Sequence, residues 1–208
     1  MIEDLRQGVI KGDEQGVKDL TQKLIDEGLE PLEIINNGLI AGMSVVGDRF
    51  KKAEMYVPEV LMAAKSMKSG MELVKPLIAE GDVEAATKVL MGTVKGDLHD
   101  IGKNLVGMMM ESSGFEVVDA GVDITPEEFA EMVKDEEPDV LGLSALLTTT
   151  MLAMRETIEV LEEEGLRDQV KIIIGGAPVT SDFAEEIGAD GYAPDAASAT
   201  EIVEELLA

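Results

Sequence analysis

The chain has 208 residues, 45% of them hydrophobic, with 43 acidic against 17 basic side chains and a formal net charge of −26. That balance argues against nucleic acid or an anionic membrane surface as partner, because phosphate neutralisation needs clustered Lys and Arg. Cysteine is absent and His99 is the only histidine, which excludes disulfides, thiolate-held zinc or iron–sulfur sites and a catalytic thiol.

No apolar run approaches the roughly 18 residues of a membrane span. The opening Met1-Ile2-Glu3-Asp4 carries neither a basic leader nor an apolar signal stretch, so the expectation is a cytoplasmic protein. Most of the acid reads as a solvated coat, with steering of a basic protein partner as the alternative.

The first 80 or so residues read as helices alone. Ile2, Leu5, Val9 and Ile10 begin one apolar stripe, and Val17, Leu20, Leu24 and Ile25 continue it after Gly12-Asp13. Pro31 opens a longer helix whose stripe is Leu32, Ile35, Leu39, Met43, Val46 and Phe50. A turn through Lys51-Lys52-Ala53-Glu54 leads to a helix with Val57, Val60, Leu61, Ala64, Met67, Met71 and Val74 on one side. Four amphipathic helices with short connections predict a small helical bundle.

At Gly81-Asp82-Val83 the pattern changes. Val89-Leu90-Met91 is short and apolar enough for a buried strand, and a helix is expected over Ile101–Ser112, stopped at Gly114. Phe115-Glu116-Val117-Val118 reads as a second strand. Thr125-Pro126-Glu127-Glu128 then has the cap, first-turn proline and returning glutamate of a helix start. Val140-Leu141-Gly142-Leu143 and the strand 170–174 follow, with a helix over 152–164 between them. The last unit is a helix over 182–187, a short strand at Gly191-Tyr192 and a helix over 197–207.

Strands alternating with helices imply right-handed crossovers and an α/β fold, a doubly wound five-stranded parallel sheet after the bundle. The expected domains are 1–83 and 84–208. Ligands in such sheets lie at the carboxyl ends of the strands, here at segments 94–102, 144–150 and 175–180.

Those loops carry the candidate chemistry. His99 is the one borderline metal ligand besides thioethers, and Asp97 is placed to accept from its other ring nitrogen, which fixes the tautomer of a metal-bound histidine. Asp-x-His before a helix also occurs as a plain cap with a surface imidazole, and Asp100 is itself a cap candidate. Gly175-Gly176 lets a ligand or another backbone approach closely, although a plain strand-to-helix turn also uses such a pair. Ser144, Thr148, Thr149 and Thr150 form a hydroxyl cluster able to bind phosphate, ribose or a carboxylate.

Taken together, the spacing is specific. Asp97-x-His99-x-x-Gly102 is followed by 41 residues, then Ser144-x-Leu146, then 28 residues, then Gly175-Gly176. This resembles the three-part fingerprint of cobalamin-binding domains in which a protein histidine replaces the cofactor's own dimethylbenzimidazole below the cobalt. Gly42-Met43-Ser44-Val45-Val46-Gly47-Asp48-Arg49-Phe50 and Met55-Tyr56-Val57-Pro58-Glu59-Val60 are similar to the helical cap that precedes this domain in methionine synthase and in the corrinoid proteins of methanogens and acetogens. Length and two-part build are similar to the small corrinoid carriers of methylamine and methyl-ether methyltransferase systems.

The resemblance implies a methyl carrier that catalyses little alone, loaded by a donor-specific methyltransferase, unloaded by a second one to a thiol or folate, and rescued by a reductive activase. His99 becomes the lower axial ligand of cobalamin or a related corrinoid held base-off. Asp97 becomes its partner, with Thr150 closing the relay where methionine synthase has serine. Gly96, Asp100, Ile101, Gly102, Ser144, Leu146, Thr148, Gly175, Gly176 and Ala177 line the cofactor slot, Tyr192, Asp195 and Ala196 its far end, and Tyr56 and Val60 the side of the helical cap, which would cover the upper face. Cobalt cycling between Co(I) and methyl-Co(III) would couple a proton on the relay to methyl transfer.

Other readings are a cobalamin-binding regulatory module, which lacks a basic DNA-binding segment here, and a flavodoxin-like FMN or signalling domain, which lacks flavin-stacking aromatics. A nucleoside-triphosphate site fails because five residues separate Gly96 from Gly102 and Asn104 follows the lysine. Metal-dependent phosphohydrolases need more histidines than one.

Overall fold

The computed structural model describes residues 1–77 and 87–208. The chain forms two compact units, Met1–Ala86 with Glu111–Gly114 and Thr87–Met110 with Phe115–Ala208. The change of pattern at Gly81-Asp82-Val83 and the expected boundary between 83 and 84 lie outside the described residues.

In the first unit α1 (Ile2–Lys11) ends at Gly12 in the left-handed conformation, and Asp13 caps α2 (Glu14–Asp26) by accepting from Gly16 N. α3 (Pro31–Glu33), a π-helical stretch (Ile34–Ile40) and α4 (Ala41–Lys51) follow one another without a break. The helix expected over this span is therefore present but wider in its middle. The π-helical stretch buries Ile34, Ile35, Gly38 and Leu39 and α4 buries Gly42, Met43 and Val46, while Leu32 is exposed.

α5 (Val57–Val74) buries Val60, Ala64, Met67 and Val74 as its stripe predicts, together with Ala63, Ser66, Ser69 and Gly70. Val57 and Leu61, read as core, are each 36% exposed. Small residues set this face because α2 and α3–α4 come close: a Cβ on Gly70 would stand 2.8 Å from Leu39 Cδ2 and 3.0 Å from Thr21 Oγ1. Hydroxyls of Ser66 and Ser69 are satisfied by the carbonyls of Ala63 and Ser66 on their own helix, so burying them carries little penalty.

In the second unit β1 (Lys88–Val94), α6 (Ile101–Ser112), β2 (Glu116–Ile124), α7 (Pro126–Glu136), β3 (Val140–Ser144), α8 (Met151–Glu163), β4 (Lys171–Gly175), α9 (Ser181–Ile187), β5 (Gly191–Ala193) and α10 (Ala196–Leu207) alternate as expected. All pairings are parallel and the order is β2-β1-β3-β4-β5. Apolar residues alternate between two cores. Leu90, Leu141, Leu143, Ile172 and Ile174 pack with Phe129, Met154, Ile158, Leu161 and Ile187 of α7, α8 and α9 on one face. Val89, Met91, Val140 and Ile173 pack with Met110 of α6 and Ala199 and Val203 of α10 on the other. Both faces are covered, which is why β1, β3 and β4 read as continuous apolar runs.

The sequence places β2 over four residues; the strand runs on to Ile124. Its second half is mostly half-buried and out of step with β1, with Asp119, Gly121 and Asp123 set between apolar residues. No helix of the described residues is long and apolar enough to cross a membrane.

α7 starts on a complete capping box: Thr125 Oγ1 accepts from Glu128 N at 3.2 Å and Glu128 Oε2 accepts from Thr125 N at 2.8 Å. These bonds from Thr125 hold the Glu128 carboxyl below its usual range. Thr125→Ala is expected to lower stability by about 1 kcal/mol in urea unfolding of the apoprotein. The gap to wild type narrows as acid protonates Glu128, because a depressed carboxyl contributes only above its ordinary pKa and loses its contribution as pH falls through the folded value.

Candidate corrinoid site

The sheet reverses its direction of growth between β1 and β3, the position where open α/β sheets build their crevice. Strand register lines up Thr93, Ser144, Gly175 and Ala193 across that edge, so the loops after β1, β3, β4 and β5 begin side by side. The distance along the chain between Asp97 and Thr150 vanishes in space for this reason.

Asp97 is the hub. Its carboxylate is 1% exposed, and Oδ2 accepts from Leu146 N at 2.8 Å, Leu147 N at 3.3 Å and Thr150 Oγ1 at 2.7 Å. Oδ1 accepts from His99 N at 3.1 Å and lies 2.6 Å from His99 Nδ1. Burial pushes the carboxyl up, but the bonds from Thr150, Leu146 and His99 outweigh it and hold Asp97 well below the usual carboxylate range. An ionised Asp97 has no proton to give. The proton in this contact therefore belongs to His99 Nδ1, and in the neutral imidazole that tautomer puts the lone pair on Nε2.

The ring itself is accessible, its side chain 52% exposed. The segments that carry His99 and the partners of Asp97 also carry exposed apolar side chains: Leu98 at 70%, Ile101 at 81%, Leu146 at 42% and Leu147 at 43%. Thr93 Oγ1 donates to His99 O at 2.9 Å and pins the loop from below. Asn104, Gly96 and Asp100 are exposed beside it, with the Asp100 carboxylate accepting from Asn104 Nδ2 at 3.1 Å.

The remaining sequence-predicted residues divide by burial. Gly102 is exposed, and a Cβ there would meet nothing within 4 Å, so packing within the chain does not require glycine. Ser144 is half-buried, while Thr148, Gly176 and Ala177 are exposed along the same edge. Gly176 is required by the chain's own backbone: at φ 130 a Cβ would lie 1.8 Å from Ala145 O. Of the two readings of Gly175-Gly176, close approach of another backbone is the one realised. Tyr192 is half-buried and packs on the α7–α8–α9 core, Asp195 caps α10 through Ser198 N at 2.8 Å, and Ala196 is only 5% exposed. On the helical unit, Tyr56 is 69% exposed and Val60 is fully buried, so Tyr56 is the one of that pair with surface to offer.

Sequence reasoning passed over Leu147, Thr93, Lys103, Asp119 and Asp123. Leu147 and Thr93 act through groups that leave no pattern, a main-chain amide and one hydroxyl inside a buried strand. For the two aspartates the signal was present: Asp119, Gly121 and Asp123 interrupt an apolar strand at alternate positions.

Among the described residues no three His, Cys, Asp or Glu side chains converge as a metal cage. One half-exposed imidazole suits a metal that brings its own equatorial ligands, as a corrin does. The chain matches a family model described as a B12 binding domain over residues 87–201, and a second with the same description over residues 1–75.

This chain belongs to the B12-binding family.

Among the relatives of this B12-binding chain, dimethylamine corrinoid protein 1 of Methanosarcina acetivorans is 45% identical over 209 residues, 100% of this chain and 98% of that protein. A novel cobalamin-binding protein of Desulfitobacterium hafniense superposes with a TM-score of 0.84 at 33% identity, covering 99% of this chain and 98% of that one. A chain of the methanol:cobalamin methyltransferase complex of Methanosarcina barkeri superposes at 0.86 with 32% identity, covering 99% of this chain and 79% of that one.

Removing the hub should be costly even without cofactor. Asp97→Ala strands buried donors of the second loop, and is expected to cost roughly 3 kcal/mol in urea unfolding of the apoprotein. A loss under about 0.5 kcal/mol, the size of an ordinary surface substitution, would mean that the two loops do not depend on it. Gly176→Ala is expected to cost about 2 kcal/mol through left-hand strain and displacement of Ala145.

Proposed function

We propose that the chain is a corrinoid methyl carrier working between methyltransferases and catalysing little alone. The observation that carries this reading is His99: Nδ1 tied to a buried carboxylate, on a ring that is half exposed. The names of the relatives support it, as does the likeness to a chain of a methyltransferase complex.

In this reading His99 Nε2 is the lower axial ligand and the corrinoid is held base-off. Bound there, the corrinoid supplies a cobalt centre that takes up and gives up a methyl group. Asp97 keeps the proton on Nδ1 and so keeps Nε2 basic, and Thr150 holds the other carboxylate oxygen. Threonine here does what serine does in methionine synthase, since only the hydroxyl is used. Leu98, Ile101, Leu146 and Leu147 exclude water beneath the ring. Gly96, Asp100, Gly102, Ser144, Thr148, Gly175, Gly176 and Ala177 border the slot for the nucleotide tail, Tyr192, Asp195 and Ala196 its far end, and Tyr56 and Val60 belong to the helical domain, 1–83. The partners are a donor-specific methyltransferase, an acceptor methyltransferase delivering to a thiol or folate, and a reductive activase, all in the cytoplasm.

Reconstitution with hydroxocobalamin followed by desalting is expected to leave near-stoichiometric cobalt, and absence of cobalt sinks the reading. His99→Ala should keep the tail slot and the cobalt while losing the imidazole-ligated visible spectrum. Methylated amines are the first donors to try with a cognate methyltransferase, and transfer through the loaded protein separates a carrier from a sensor.

A further inference from the structure

The second half of β2 has a geometry that the sheet does not require. Along β1, Met91 faces Asp119, Gly92 faces Gly121 and Val94 faces Ile124, so β2 takes in an extra residue twice within six positions. Bulges of this kind re-aim side chains. Here they accompany two carboxylates, Asp119 bonded to α6 and Asp123 bonded to the loop after β1. Asp119 Oδ1 accepts from Gly121 N at 2.8 Å and from Lys103 Nζ at 2.5 Å, and Lys103 is itself only 4% exposed on the first turns of α6. Asp123 reaches further: its Oδ1 accepts from Gly96 N at 2.7 Å while its own N donates to Asp97 O at 3.0 Å.

Asp123 does this at φ 58, a conformation that a residue with a side chain keeps only where its surroundings over-determine it. The two bonds form a closed clasp on Gly96-Asp97. They act on the main chain, two residues before His99, whereas Leu146, Leu147 and Thr150 act on the Asp97 side chain.

We propose that Asp123 is a positioning residue for the axial ligand: its clasp on Gly96 N and Asp97 O fixes the backbone from which the His99 imidazole is aimed, with the Lys103–Asp119 pair anchoring the strand that carries it. The proposal rests on the reading of His99 as ligand. A carboxylate that only tidied a strand edge would affect stability and leave ligation untouched.

The test compares the full chain with Asp123→Gly and Asp123→Asn. Glycine accepts the left-handed φ, so the variant folds but lacks the carboxylate; asparagine tolerates that φ and keeps an acceptor oxygen. In the apoprotein, hydrogen exchange at the Gly96 amide is expected to speed up about tenfold in Asp123→Gly, the worth of one hydrogen bond to a charged group, and to return towards wild type in Asp123→Asn. After reconstitution with hydroxocobalamin and reduction to Co(II), electron paramagnetic resonance reads the histidine nitrogen splitting. The ratio of histidine-ligated to unligated cobalt is expected to fall about tenfold in Asp123→Gly with cobalt content unchanged, and the Co(II)/Co(I) potential to become less negative.

A wild-type ratio and potential in Asp123→Gly overturn the proposal, as does unchanged exchange at Gly96. If the unmodified chain takes up no cobalt, or shows no nitrogen splitting, the carrier reading fails first and the positioning role with it. The exchange measurement then still tells whether the clasp exists, which keeps the two failures apart.

Discussion

The carboxylate of Asp97, a residue only 1% exposed, is the constraint on which the loops after β1 and β3 depend. Withdrawing an ion of that kind from water costs several kcal/mol, and Asp97 recovers it only if five donors from three places arrive together. Two of those donors are amides of the loop after β3, and one is the hydroxyl that opens α8. They can arrive because β1 and β3 are hydrogen-bonded neighbours whose helices leave on opposite faces of the sheet. The strand order thus creates the gap, and the charge of Asp97 closes its lower part. On the same segments the imidazole and four leucine and isoleucine side chains remain exposed.

In the proposed reading the same geometry lets one histidine suffice. A protein-built metal site needs three or four converging ligands, whereas a macrocycle brings its own and asks the protein for one nitrogen in a fixed tautomer and direction. The tautomer follows from electrostatics, because an ionised Asp97 can only accept. The direction follows from the backbone, and here the chain spends unusual conformations: Gly96 at φ 82, Asp123 at φ 58 and Gly176 at φ 130 all lie around this edge.

Much of this was legible in the residues, for identifiable reasons. Buried parallel strands such as 140–144 announce themselves as short apolar runs because both faces are covered, and the Thr125 box announces a helix start because its chemistry is local. Asp97, His99, Ser144 and Gly175-Gly176 were legible through their spacing, which reflects the length of a βα unit as much as the ligand. The second half of β2 was passed over because Asp119, Gly121 and Asp123 are poor strand formers, although they alternate with Ala120, Val122 and Ile124. The buried face of α5 was misread at Val57 and Leu61, since Ser66, Ser69 and Gly70 count as polar or neutral in a stripe yet allow the closest helix approach. The π turns at Ile34–Ile40 left no mark, as they widen a helix without changing which residues are apolar.

Two sets of bonds hold the ligand loop, and they control different motions. Bonds from Leu146, Leu147 and Thr150 fix the Asp97 carboxylate, and through the 2.6 Å contact at Nδ1 they fix the plane and tilt of the imidazole. Bonds to Gly96 N and Asp97 O fix the main chain, and therefore the height of the histidine Cα above the strand ends. Neither set can substitute for the other, because a side chain held firmly on a drifting backbone still misses its target by the drift. In the proposed role His99 would have to meet a metal within a few tenths of an ångström and would need both, which gives a common reason for a buried ion and a left-handed aspartate on the two sides of a single loop.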